Sequence, residues 1–142
     1  MNKMFSSKSI YPDEGITVIR IVIGLFLIYH GLELFDAAKM KEYTGWDVFK
    51  NHSNASFMIH LGKTAEFIGG LQLVLGLFTR LACILIIGTM SYITFFVGNG
   101  KFWYEDQYPF LFAILALFIF FTGPGTKSLD YRIYDKLGET EK

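Results

Sequence analysis

The chain has 142 residues, enough for one domain, with 52% hydrophobic and 18% aromatic residues, fifteen of them Phe. Its formal net charge is zero, which excludes the strong positive field of a nucleic-acid binder. The single cysteine, Cys83, excludes an intrachain disulfide and a self-contained dithiol relay.

Residues 1–15 are polar, carry Lys3 and Lys8, and precede an apolar block at 16–35. That block contains Arg20 and ends in charged residues rather than a small-x-small cleavage site. It therefore reads as a retained helix and not as a signal peptide. Further apolar blocks follow at 58–78, 81–97 and 105–122, and a polar tail at 123–142. A membrane span needs about 20 mainly apolar residues. The last block approaches that length only if Glu105, Asp106 and Gln107 form its first turn. No strand alternation is sustained. Four such blocks also leave too little polar sequence to cover a soluble core. The expected fold is all-α, a four-helix transmembrane bundle in one domain.

The connections add detail. Thr79 and Arg80 separate the second and third blocks, which predicts a tight antiparallel pair. The loop at 36–57 contains a stretch expected to form a short interfacial helix capped by Asp36, with Met40, Tyr43 and Trp46 toward lipid. Trp46 and Trp103 fall on one side of the membrane, as an aromatic belt requires. The other end holds Lys3, Lys8, Arg80, Lys127, Arg132, Lys136 and Lys142, against Lys39, Lys41, Lys50 and Lys101, a seven-to-four bias. By the positive-inside rule both termini are expected in the cytoplasm.

Ionisable residues inside spans are costly and mark pairing or function. Arg20, His30 and Glu33 lie on the first block, Lys63 and Glu66 on the second, with His60 near its start. Glu33 and Lys63 are expected at similar depth and can pair. Arg20 is expected to reach toward Glu66, directly or through water, or to extend to headgroups. The five residues Arg20, His30, Glu33, Lys63 and Glu66 thus outline a candidate polar cavity between the first two spans. It suits a lipid headgroup, a quinone ring or a proton. A register-fixing charge network is the plainer alternative. His30 and His60 at equal depth raise axial haem ligation, but hydrogen-bonded interface histidines fit the pattern better. No Cys, His and carboxylate cluster has metal-site spacing, so no metal is expected. Gly24 and Gly31 on the first block, with Gly69, Gly70 and Gly76 on the second, are expected to form close packing seams.

Several of these residues occur in a recognisable pattern. Arg20 followed by xxxG, the helix-ending His30-Gly31, and AEFIGGLQLVLGLFTRLA with Glu66, Gly69, Gly70, Gly76, Thr79 and Arg80 resemble the DoxX family of small membrane proteins. The segment FFTGPGTKSLD, with Gly123, Pro124, Gly125 and Asp130, is similar to a variant of that family. One departure is that Leu32, Glu33 and Leu34 follow His-Gly where many members carry a lysine. The resemblance implies a bacterial inner-membrane protein with four helices. It also implies association with quinone-linked or redox-defence assemblies. The expected function is an accessory subunit of a membrane redox or respiratory complex, with a quinone or lipid headgroup site and no covalent cofactor. The alternative is a non-catalytic assembly subunit or chaperone of a larger membrane complex. Expected partners are membrane lipids and either that complex or further copies of the chain, not nucleic acid. A transporter is disfavoured, because four helices show no evident inverted repeat.

Overall fold

Pro12 opens the first helix, where its missing N–H and fixed φ cost nothing, and Asp13 and Glu14 in the first turn complement the helix dipole. The computed structural model describes residues 10–135. Lys3, Lys8, Lys136 and Lys142, and the end of the expected tail, lie outside the described residues. The described chain is all-helical, with no strand among these residues. It has five α-helices: α1 Pro12–Gly31, α2 Ala37–Thr44, α3 Ala55–Leu75, α4 Thr79–Tyr92 and α5 Gln107–Thr122. A short 3-10 turn, Leu32–Phe35, extends α1, and a π-helical turn, Ile93–Val97, extends α4.

Two of these stretches are long and apolar enough to cross a membrane. They are Pro12–Phe35, 24 residues at mean hydropathy 1.9, and Thr79–Val97, 19 residues at mean hydropathy 1.8. α3 is 21 residues long but carries Lys63 and Glu66, and α5 is apolar but only 16 residues long.

α1 and α3 begin three or four residues before the expected blocks, and three further boundaries differ for local reasons. α3 stops at Leu75 because Gly76 takes the left-handed φ of +66°. Leu77 N–H then donates to Gln72 O (3.0 Å) and Gly76 N–H to Leu73 O (3.2 Å), a Schellman closure. The turn to α4 is therefore Gly76, Leu77 and Phe78. Thr79 and Arg80, expected to be the connection, begin α4 instead. At α5, Glu105 and Asp106 do not build the first turn. Asp106 accepts from Asn99 N–H (3.0 Å) and Lys101 N–H (2.9 Å), and Glu105 pairs with Lys101 (3.1 Å). Both acids fold the preceding loop.

α1 runs antiparallel to α3, and α4 packs against α5, with α3 and α4 joining the two pairs. The α1–α3 seam is close because glycines line it. A Cβ at Gly24 would fall 2.8 Å from Gly70 O, and one at Gly70 would fall 2.8 Å from Gly24 O and Ile28 N. A Cβ at Gly31 would meet Phe67 N at 2.5 Å. Gly69 faces the other neighbour, with Ile86 of α4 3.0 Å from its would-be Cβ. Ile23, Leu27, Leu73, Cys83, Ile86, Ala116 and Ile119 fill the shared core. Alanine at 82, 113 and 116 lets α4 and α5 approach.

A second small core lies at the loop end of the molecule, where Met40, Phe49, Ala55 and Ile59 are buried together. Asp36 caps α2, accepting from Ala38 N–H (2.9 Å) and Lys39 N–H (3.1 Å), in the position its sequence suggested. The face expected toward lipid is corrected, however. Met40 is 5% exposed and points inward, because α2 packs against α3 and needs an apolar contact there. Tyr43 is half-buried, and only Trp46 of the three is exposed.

Candidate functional site

The charged residues separate into two groups at opposite ends of α3. Arg20 projects from α1 and is 1% exposed. Its Nη1 donates to Leu73 O and to Val74 O (3.1 Å), and its Nη2 to Lys127 O (3.2 Å). The Leu73 and Val74 carbonyls lie at the end of α3, where the helix dipole is negative, so a cation is favoured there. The sequence-based link between Arg20 and Glu66 is corrected. Seven residues of helix, roughly 10 Å at 1.5 Å per residue, separate Glu66 from Leu73.

The same end is closed by the segment after α5. Asp130 accepts from Phe78 N–H (2.7 Å) and Thr79 N–H (2.8 Å), and its own N–H donates to Gly76 O (2.8 Å). It thereby caps α4, whose first N–H groups attract an anion. Phe78 holds φ of 50°, an uncommon conformation for an aromatic residue, fixed here by that bond. Gly76 has no room for a side chain. A Cβ there would lie 2.5 Å from Arg20 Nη1 and 2.6 Å from Ser128 Cβ. Gly76 is thus not part of the α1–α3 seam but the floor on which Arg20 rests. Asp130 and Ser128 take on roles that their sequence context did not reveal.

At the opposite end a polar cluster borders a cavity. Lys63 Nζ lies 2.8 Å from Glu33 Oε2 and 3.0 Å from Glu66 Oε2. Tyr43 OH donates to Glu33 Oε2 (2.5 Å), and the Lys63 ammonium stands 5.3 Å from the Tyr43 ring centre, within cation–π range. Glu66 is 4% exposed. Burial and the bond to the Glu33 carboxylate push the Tyr43 phenol well above the usual tyrosine range, so it stays a donor. Tyr43, expected toward lipid, is the partner that sequence reasoning missed.

The cavity measures about 280 Å³. Its wall combines Lys63, Glu66, His30 and Thr89 with a larger apolar and aromatic set from every helix, including Leu27, Tyr43, Trp46, Ile59, Met90 and Phe112. The cavity, expected between the first two spans, therefore takes walls from α4 and α5 as well. The π-turn explains part of this. Thr94 Oγ1 donates to Met90 O (2.8 Å), competing with the helical ladder and widening it, and Ile93 and Val97 then line the cavity. Of the five candidate site residues, Lys63, Glu66 and His30 line the cavity. Glu33 backs it through Lys63, and Arg20 lies at the far end.

His30 and His60 do not form a pair of facing ligands. His60 is exposed and its Nδ1 lies 2.6 Å from Ser56 O of its own helix, outside the cavity wall. Among the described residues no group of three His, Cys, Asp or Glu side chains is placed to hold a metal.

Comparison with known proteins agrees with this arrangement of motifs. No solved structure matches the chain. An uncharacterized protein of Haemophilus influenzae is 28% identical over 133 residues, covering 89% of this chain and 96% of that relative. The family model described as DoxX matches residues 15–99, more than half of the chain, which includes Arg20, the α1–α3 glycines and the Lys63–Glu66 pair. The chain belongs to the DoxX family.

Proposed function

We propose that this protein is a four-helix integral membrane protein of the bacterial inner membrane. Its cavity binds a lipophilic molecule with a polar ring, of the quinone class, and it serves as an accessory subunit of a membrane redox assembly. The observation that carries this reading is the cavity itself. Its walls are mostly apolar and aromatic, while Lys63 and Glu66 stand together in one polar corner. That combination suits an apolar body whose ring oxygens need a donor.

Membrane embedding is supported by the outward faces of all four long helices. Val18, Leu25, Leu61, Ile68, Ile84, Ile114 and Phe121 are exposed large hydrophobics of these faces. A contiguous apolar surface of this kind is not left to water. α1 and the α4 stretch span readily, and α5, about 24 Å long, spans a thinned bilayer or sits slightly inside it. The seven-to-four bias of basic residues supports cytoplasmic termini and an outward-facing cavity end.

In this reading the Lys63 ammonium donates to a ring oxygen, and Glu66 exchanges a proton beside it. The one cysteine cannot form a dithiol couple, so electrons for any redox change of the ligand come from a partner subunit. The second reading, a non-catalytic assembly subunit, draws on the exposed aromatics Phe95, Phe96, Trp103 and Tyr104 at the cavity end of α4 and the loop beyond it.

Purification from native membranes in mild detergent, followed by solvent extraction and protein mass spectrometry, tests both. The expected result is a copurifying isoprenoid quinone and a redox partner. In Glu66→Gln the quinone and the partner are expected to be retained while quinone turnover by the assembly is lost, because an amide cannot exchange the proton. Loss of the partner in Glu66→Gln, with no quinone in the parent protein, favours the assembly reading.

A further inference from the structure

The cluster at the cavity wall is not electrically balanced. Two carboxylates, Glu33 and Glu66, share one bonded ammonium, Lys63, while the exposed Lys39 of α2 acts on Glu33 from the solvent side. The other titratable groups that line the cavity are His30 from α1, Tyr43 from α2, Tyr92 from α4 and Tyr108 from α5, none of them a fixed cation. An isolated negative charge in a low-dielectric setting is costly, and proteins relieve such a charge by neutralising one group.

We infer that Glu66 holds a proton in the resting protein and exchanges it with the cavity-end surface through Lys63 and Glu33. The geometry selects Glu66 over Glu33 as the protonated member. Glu33 receives two bonds, from Lys63 (2.8 Å) and from the Tyr43 hydroxyl (2.5 Å), and both favour its ionised form. Among the described residues, Glu66 receives one, from Lys63 (3.0 Å). Exposure follows the same order. The Glu66 side chain is 5% exposed, Lys63 15% and Glu33 23%. The three groups therefore form a continuous chain of hydrogen-bonding contacts from the cavity wall to the surface. Glu66 releases a proton to the cavity occupant and becomes a carboxylate, which leaves the cluster one charge more negative; Lys63 then passes a proton to Glu66 and regains one that enters from the surface by way of Glu33, which restores the charge. Glu66 is thereby a proton-exchange site for the cavity. The use of that proton rests on the ligand reading above. The protonation itself is read on ligand-free protein, so the two readings fail separately.

Infrared spectroscopy of the protein in lipid nanodiscs, with and without deuterium exchange, tests this. At neutral pH a carboxylic-acid C=O band is expected that shifts on deuteration. Glu66→Asp should move that band and Glu33→Asp should leave it in place. Glu33→Gln should abolish it, because a single carboxylate then balances Lys63 and ionises. His30→Gln should not change it. Absence of the band, its movement by Glu33→Asp instead, its persistence in Glu33→Gln, or its dependence on His30 would each overturn the inference. Glu33→Gln keeps the test open if the Glu66 variant does not fold.

Discussion

Replacing Arg20 with methionine is expected to destabilise the protein by about 3 kcal/mol or more. The guanidinium joins three chain segments at one point through Leu73 O, Val74 O and Lys127 O. A hydrogen bond to a charged group contributes about 1.5–3 kcal/mol, and these three do not add fully because they share one donor group. Methionine fills much of the space but leaves the partly buried Val74 and Lys127 carbonyls without the guanidinium donor. Lysine is expected to recover less than half of the loss, since a single ammonium lacks the planar fork that reaches carbonyls on two segments. Unfolding by sodium dodecyl sulfate in mixed micelles measures the difference. A methionine variant as stable as the parent would show that Arg20 does not hold this end together.

Lys63→Met is expected to cost about 3–5 kcal/mol, because it leaves the half-buried Glu33 carboxylate without its cation beside the buried Glu66. All three side chains are less than a quarter exposed, so solvent screens them only partly. The triple variant Glu33→Gln, Lys63→Met, Glu66→Gln removes the charges together and should regain most of that stability. The same micelle unfolding experiment reads both. A single variant no worse than the triple would mean that Lys63 does not neutralise the pair. The two ends thus respond differently: charge removal is repairable at the cavity, whereas the Arg20 contacts depend on one irreplaceable shape.

Much of this organisation was legible in the residues. The apolar blocks locate the four long helices to within a few positions, because burial and lipid both demand long apolar runs. Asp36 announced its cap, and Gly24, Gly31 and Gly70 announced a close seam, because each follows a local rule. The proximity of Glu33 and Lys63 followed from equal depth on antiparallel helices.

What was not legible depends on long-range packing. Arg20 was matched to Glu66 because carboxylates are visible in a sequence and backbone carbonyls are not. Its true partners are main-chain oxygens that any residue could supply. Asp130 reaches Phe78 and Thr79 across about fifty positions, with no periodicity to betray it. Met40 and Tyr43 looked lipid-facing because α2 is amphipathic either way round. Only its contact with α3 decides which face turns in. The part of the wall formed by Ile93 and Val97 lies in the π-turn at Thr94, a local widening with no clear sequence mark.

Gly62 offers the sharpest test of the central claim that the cavity is a ligand site. It lines the cavity, and a Cβ there meets nothing within 4 Å, so Gly62→Phe should fill the space without disturbing the helices. Trp46 also lines the cavity, and Trp103 does not, so a Trp103→Phe background reports on the site alone. A short-chain ubiquinone titrated into this protein in nanodiscs should quench Trp46 fluorescence saturably. In Gly62→Phe that saturable quenching should vanish, with circular dichroism and unfolding midpoint unchanged. Undiminished quenching in Gly62→Phe, or quenching that never saturates in the parent protein, would contradict the account.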